Sequence, residues 1–236
     1  NGRNILVFGP TGVGKTAAIK YILQELEEQT EDIIPIYINC WQKNTTFKII
    51  LEMCDALNYK FTQNKRTDEL FEIVKQHLNK KDKSAVFIFD EIDKIGDFDF
   101  LYQLLEEIYR KSLILITNHK EWISGLDQRI KSRLNLEMLE FKPYNYAETK
   151  GILIQRAEIA FAKDSFNPDA LEAVFRKTAE LGDIRKGLYL MKEAADIAEE
   201  NSSRKIKLEY VQEAMKKLND FTANSTASLD GELQLI

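Results

Sequence analysis

Five short apolar runs punctuate the first 143 positions, and longer amphipathic stretches separate them. The runs are Ile5-Leu6-Val7-Phe8, Ile33-Ile34-Pro35-Ile36-Tyr37-Ile38, Ala85-Val86-Phe87-Ile88-Phe89, Leu113-Ile114-Leu115-Ile116-Thr117-Asn118 and Leu136-Glu137-Met138-Leu139-Glu140-Phe141. The first and third read as buried parallel strands, the third apolar on both faces. Pro35 removes one amide donor, which places its strand at an edge or puts the proline at the strand start. The last run keeps one polar face. Between the runs, apolar residues recur at helical spacing. After the first strand a helix to about Gln29 has Ile19, Ile22, Leu23 and Leu26 as its buried stripe, with Glu25, Glu27 and Glu28 on the wet face. Thr45 or Thr46 caps a helix carrying Phe47, Ile50, Leu51, Cys54 and Leu57. Further helices carry Leu70, Phe71, Val74 and Leu78, then span about 100–110, then 127–133. Lys80-Lys81-Asp82-Lys83 reads as a solvated turn. Strands alternating with helices predict a doubly wound α/β domain with a five-stranded parallel sheet.

After Pro143 no further strand pattern occurs. Four helical stretches follow, from Tyr146 to about Ala162, Pro168 to Glu180, Ile184 to Glu200, and Leu208 to Leu218. Asn167-Pro168-Asp169 is a helix start with Pro in the first turn. The chain therefore divides into an α/β domain over 1–143 and a small all-helical lid over 144–220. Residues 221–236 form a linker and the opening of a further element. There is no internal repeat.

Composition narrows the picture only a little. At 236 residues, 44% apolar and 30% charged, the chain is long enough to bury a sizeable core. A net charge of −5 argues against a nonspecific nucleic-acid coat, but leaves room for a local binding patch. Cys40 and Cys54 have no Cys or His partner at zinc spacing, so they read as free, partly buried thiols of a reducing compartment. No apolar run approaches membrane-spanning length. The chain starts at Asn1, almost on the first strand and without Met, so a trimmed N-terminus is expected.

The informative chemistry begins at Gly9-Pro10-Thr11-Gly12-Val13-Gly14-Lys15-Thr16, which fits G-x-x-x-x-G-K-[ST] between a strand and a helix. The glycines let backbone N–H groups close around phosphate oxygens, and the helix start at Ala17 adds partial positive charge. Lys15 would reach the β- and γ-phosphates, and the Thr16 hydroxyl would sit on Mg²⁺. A phosphate loop of this kind needs a carboxylate for the metal, and Asp90 ends a buried strand, where such a residue belongs. Glu91, one residue on, is placed to polarise a water. Asn118 ends the strand expected beside Asp90, where its amide would orient that water or touch the γ-phosphate. Thr117-Asn118-His119-Lys120 is not the N-K-x-D of guanine selection, which favours ATP over GTP. Arg129 and Arg133, four apart on one helical face, are candidates for an arginine finger in a neighbour's site. Arg185 opens a lid helix behind Gly182 and the N-cap Asp183, from where it would fold back onto the γ-phosphate. His77 reads as a helix-surface residue, His119 as a loop residue, and Trp41 and Trp122 as packing residues.

Taken in order, these residues resemble the AAA+ ATPases, and more narrowly the origin-recognition and cell-division-control initiator family in its archaeal form. The resemblance rests on Gly9–Thr16, on Phe87-Ile88-Phe89-Asp90-Glu91-Ile92-Asp93, and on Leu126-Asp127-Gln128-Arg129-Ile130-Lys131-Ser132-Arg133-Leu134. It rests also on Phe141-Lys142-Pro143-Tyr144 and Gly182-Asp183-Ile184-Arg185-Lys186. It implies Walker A at Lys15 and Thr16, Walker B at Asp90 and Glu91, sensor 1 at Asn118, the arginine finger at Arg133, and sensor 2 at Arg185. Tyr144 and Arg156 match family positions lining the nucleotide. Residues from about Thr45 to Lys65 sit where initiators carry a DNA-contacting helical insertion. Ser228-Leu229-Asp230-Gly231-Glu232-Leu233 resembles the opening of the winged-helix domain with which members end.

The resemblance implies an ATPase, slow and switch-like, using ATP or ADP with Mg²⁺. Implied partners are origin double-stranded DNA, the replicative helicase, and a second or paralogous initiator engaged through Arg133, with no membrane. The implied setting is the cytoplasm, on the nucleoid, or the nucleus of a eukaryote. Two other classes stay open. Ser132-Arg133 also resembles a clamp-loader finger, and a nucleotide-switch scaffold would carry the same motifs. Cys40-Trp41-Gln42-Lys43 lacks the pore-loop glycine of a threading unfoldase.

Overall fold

A computed structural model describes residues 2–80 and 83–219. Lys81 and Asp82 of the expected turn, Asp220 of the expected lid, and the expected linker over 221–236 lie outside the described residues. Five strands form one sheet: β1 (Asn4–Phe8), β2 (Ile33–Asn39), β3 (Ser84–Asp90), β4 (Lys111–Thr117) and β5 (Leu136–Glu140). Their order is β2-β3-β4-β1-β5 and every pairing is parallel. The predicted α/β sheet is thus the observed one. Pro35 sits inside β2, an edge strand that needs ladder bonds on one side only.

The order puts β1 between β4 and β5, while the chain leaving β1 crosses to the far edge to make β2. That reversal opens a crevice at the carboxyl end of β1, where open α/β sheets bind ligands. Five helices accompany the sheet: α1 (Lys15–Gln29), α2 (Thr46–Ala56), α3 (Thr67–Lys80), α4 (Asp99–Glu107) and α5 (Gln128–Leu134). The larger core joins Leu6, Ile36, Phe87 and Phe89 of the sheet to Ile50 of α2, Leu70 of α3, Leu101 of α4 and Ile130 of α5. On the opposite face a smaller cluster joins Val7, Ile88 and Ile116 to Ile19 of α1. There the α1 stripe is narrower than the sequence suggests. Ile19 and Leu23 meet the sheet, whereas Ile22 is 54% exposed, because one helix laid on a flat face touches it along a single line.

Two further expectations, on Trp41 and on the cysteines, need correction. Trp41 is not a packing residue: it is 65% exposed, with the Lys94 ammonium 5.5 Å from its ring centre. Of the two candidate caps, Thr45 caps α2 by accepting from the Lys48 amide, and the Thr46 hydroxyl donates to Asp97 instead. Trp122 does pack, edge-on to Phe98 at 5.5 Å. Cys40 and Cys54 are free and fully buried rather than partly so.

A second compact unit begins at Pro143. It holds α6 (Tyr146–Ala160), α7 (Pro168–Leu181), α8 (Ile184–Glu200) and α9 over 208–219. Their ends are built as the sequence dictates. Asn145 and Glu148 form a capping box at α6, Pro168 opens α7, Gly182 ends it in the left-handed region at φ 63°, and Asp183 caps α8. The core of this unit collects Leu153, Val174, Phe175, Leu190, Ile197 and Val211. Gly187 lets α8 approach α7: a Cβ there would lie 2.5 Å from Thr178 Oγ1.

Candidate functional site

The loop after β1 is shaped by its glycines. Gly9 takes φ 148°, and a Cβ at that position would run into the Phe141 carbonyl oxygen. Gly14, the residue before α1, takes φ 88° and turns the chain into the helix. The Lys15 side chain is buried, 7% exposed. Its ammonium donates to the carbonyl oxygens of Gly9 and Pro10 and to Asn118 Oδ1, each at 2.7 Å. The next residue, Thr16, donates its hydroxyl to Asp90 Oδ2 at 2.7 Å. Parallel pairing brings these groups together. The β3–β4 register runs to Asp90↔Ile116, and β4 pairs β1 up to Phe8↔Thr117, so Asp90, Asn118 and the loop share the carboxyl end of adjacent strands.

Asp90 is 3% exposed and accepts a second hydroxyl, from Tyr37 on β2, also at 2.7 Å. Burial and then this bond to the carboxylate push the Tyr37 phenol above its ordinary range. The Lys20 ammonium lies 4.8 Å from the Tyr37 ring centre. Burial also pushes the Cys40 thiol up, reinforced by the charges of Asp90, Asp93 and Glu91. Cys40 is therefore an inert thiol beside an acidic cluster.

Glu91 follows in the left-handed region, at φ 56° and ψ 46°, and opens a 3-10 turn over Ile92–Lys94. A non-glycine residue held there is strained by about 1–3 kcal/mol, which surrounding structure must maintain. Asp93 sits in that turn. It accepts the Thr117 hydroxyl at 2.8 Å and pairs with the Lys94 ammonium at 3.1 Å. Burial works against the ionised Asp93, yet the bonds from Thr117 and Lys94 outweigh it and hold the carboxyl below the usual carboxylate range.

These groups fit Mg-ATP. A narrow glycine cradle backed by a buried ammonium suits phosphate, and a threonine hydroxyl beside a carboxylate supplies the hard oxygen donors that Mg²⁺ takes. Among the described residues, no three His, Cys, Asp or Glu side chains form a metal cage.

Arg129 and Arg133 stand apart from the Lys15–Asp90 cluster. Arg133, on α5, gives its Nε to Glu106 at 2.7 Å, and its guanidinium lies 5.3 Å from the Tyr102 ring centre. Arg129 faces the same ring at 5.5 Å and pairs with Asp127. Both engage α4 and the α5 cap rather than the Lys15–Asp90 cluster. In the second unit Arg185 is exposed and pairs with its own cap, Asp183, at 3.3 Å. Arg156 is exposed on α6, and Tyr144 is half-buried ahead of it. His119 is exposed, and its amide donates to Thr117 Oγ1.

Three participants escaped the sequence reading: Tyr37, Asp93 in its bonding role, and Thr117. The available signals were a hydroxyl inside the apolar run of β2, a third acid just past β3, and a polar residue closing β4.

Comparison with known proteins places both units. Residues 1–120 match the family model described as an AAA domain, and residues 150–216 match the Cdc6 AAA+ ATPase-type lid domain. The chain is 34% identical over 224 residues to the ORC1-type DNA replication protein 1 of Sulfurisphaera tokodaii, covering 89% of this chain and 56% of that protein. It is 32% identical over 232 residues to the ORC1-type DNA replication protein 1 of Archaeoglobus fulgidus, covering 91% and 56%. The chain thus spans little more than half the length of these curated relatives. Among solved structures it resembles the Aeropyrum pernix ORC1 protein in complex with DNA, with a TM-score of 0.81 and 28% identity over 92% of this chain and 60% of that one. The Aeropyrum pernix ORC2 protein, solved as ADPNP-ADP complexes, shares the fold, with a TM-score of 0.79 at 18% identity over 92% and 63%.

Proposed function

The chain belongs to the AAA+ ATPases, in the Orc1/Cdc6-type replication-initiator family, and on that premise we propose that it binds and hydrolyses ATP as the motor core of a DNA replication initiator. The observation that carries the reading is the meeting of Lys15 with Asn118 and of Thr16 with Asp90, four side chains of three separate segments at the end of one sheet. Lys15 exchanges its carbonyl partners for the β- and γ-phosphates, and the amides of Gly12 to Ala17, with Pro10 and Thr11 shaping the turn, cradle the rest. Thr16 and Asp90 hold Mg²⁺, which when bound neutralises charge on the phosphate oxygens. Glu91 orients the attacking water and takes its proton, and Asn118 fixes that water's position.

Arg185, Arg156 and Tyr144 of the helical unit complete the nucleotide's surroundings in this proposal. Arg133 serves a second initiator molecule, which requires it to leave Glu106. A finger of this kind is worth roughly 10³ to 10⁵ in rate, so the isolated chain turns over slowly and switch-like. The whole protein uses the nucleotide state to grip origin DNA and to help load the replicative helicase. It works on the chromosome, in the nucleoid. Among the described residues no helix is long and apolar enough to cross a membrane.

Glu91→Gln tests the core of this reading. ATP affinity should stay within about threefold of wild type, while steady-state phosphate release falls by about 10² to 10⁴. Wild-type turnover in Glu91→Gln would overturn it. The DNA half is tested with the full-length protein, by ATP-dependent binding to origin against random duplex at one fixed salt concentration.

A further inference from the structure

Beyond Asp90↔Ile116 the β3–β4 ladder stops. Glu91 swings away at positive φ, and Asn118 lies past the end of β4. The two residues assigned to the attacking water therefore sit on segments that the sheet no longer aligns. One hydroxyl spans the break. Thr117 Oγ1 donates to Asp93 Oδ1 at 2.8 Å and accepts the His119 amide at 3.0 Å. The first bond ties β4 to the turn that Glu91 opens, and the second closes the backbone around Asn118. Asp93 is fixed in turn by Lys94, and the Lys94 amide bonds back to the Glu91 carbonyl at 3.0 Å.

Burial argues that this bond answers to more than folding. Thr117 is 1% exposed, and the Asp93 side chain is 7% exposed. A buried hydroxyl and a buried carboxylate each carry a desolvation cost, which apolar residues at positions 117 and 93 together would avoid. Leu113-Ile114-Leu115-Ile116 leads straight to this point, so an apolar residue would simply continue the strand.

We propose that Thr117 and Asp93 are positioning residues: their bond is a strap that sets Asn118 against Glu91. The strap rests on the hydrolysis reading above. A shift of about 1 Å in a reacting group can cost around a hundredfold in rate, so a lost strap should reach turnover without reaching nucleotide affinity, which Lys15 and the glycine loop supply.

The test uses the whole chain with saturating ATP and Mg²⁺. Thr117→Val should lower kcat about ten- to a hundredfold, leave the ATP Kd within about threefold, and be rescued by Thr117→Ser. Asp93→Ala removes the bond from its other end and should give the same pattern, which covers a Thr117→Val that fails to fold. In an Asn118→Ala background, Thr117→Val should cost nothing further, because the group it positions is gone. Wild-type kcat in Thr117→Val overturns the strap. So do loss of ATP binding in step with turnover, which makes the bond a fold strut, and full additivity with Asn118→Ala. Glu91→Gln, run alongside, separates the two failures. If it stops turnover and Thr117→Val does not, only the strap falls. If it turns over like wild type, the hydrolysis reading falls and takes the strap with it.

Discussion

The two units treat buried polar side chains in opposite ways. In the helical unit Thr178 and Asp183 are satisfied by near neighbours: Thr178 donates to the Val174 carbonyl four residues back, and Asp183 accepts the amide of Arg185 two residues on. In the α/β unit the buried polar side chains add bonds that reach across the chain. Lys15 bonds Asn118, 103 positions away; Thr16 bonds Asp90 across 74; Tyr37 bonds Asp90 across 53; Thr117 bonds Asp93 across 24. A local bond is part of making a helix. A distant, buried one gives the backbone nothing that a local bond could not, and it costs desolvation at both ends. Where such bonds converge on one point, they mark a place built for something besides folding. The buried polar groups of the α/β unit should therefore govern function, and those of the lid stability alone.

The largest effect that would break this contrast is at Lys15. Lys15→Ala removes a charged donor from the phosphates, and each charge-assisted bond lost is worth about 1.5–3 kcal/mol, so ATP affinity should fall about a hundredfold or more. Retention of labelled ATP on a filter reads it directly. Thermal unfolding without nucleotide should change little by comparison. A Lys15→Ala protein that keeps its ATP and loses its fold would invert the assignment.

The same contrast explains what the sequence reveals. Gly9–Thr16 is a local motif, and its chemistry is readable without any fold. Asp90, Glu91 and Asn118 are readable as polar endings of apolar runs. The caps at Asn145, Pro168 and Asp183 need only their neighbours. Tyr37 and Thr117 are hidden because their partners are fixed by register: which strand lies beside β3, and where β3 and β4 part, follow from the pairing and not from spacing. Ile22 misleads for a related reason, since a helical stripe shows which residues are eligible for burial and not how wide a surface awaits them. Trp41 misleads because aromatic content in a chain says nothing of which side chains face water.

In the lid, a smaller and purely structural effect is expected at Asp183. Asp183→Ala strips the cap from α8 and should cost about 1 kcal/mol of stability, read as an earlier midpoint in urea. ATP affinity tests the contrast at this position. If Asp183→Ala weakens ATP binding by much more than it weakens the fold, Asp183 acts through Arg185, with which it pairs at 3.3 Å. The local-bond rule would then fail where the helix opens.

Glu172 gives the smallest effect and separates distance from burial. On α7 it accepts the Tyr146 hydroxyl at 2.6 Å, 26 residues away, and pairs with Lys150, 22 residues away, and with Arg176. The bond from Tyr146, then those from Lys150 and Arg176, pull its carboxyl from 4.5 to about 2. A depressed pKa of this kind contributes stability that is complete above the unfolded value and is lost as pH falls through the folded one. The sensitive window therefore lies between roughly pH 4.5 and 2. Glu172 is reached from afar like the residues of the α/β site, yet its side chain is only part-buried, 34% exposed, where such pairs contribute less and salt screens them. Glu172→Gln should leave ATP affinity and turnover unchanged at neutral pH. Its thermal midpoint should differ from wild type only slightly, with the difference shrinking as pH drops through that window and as salt is added. A large loss of ATP binding in Glu172→Gln would mean that reach across the chain alone marks a working residue. An effect confined to acid stability leaves burial as the condition that distinguishes Lys15, Asp90 and Thr117.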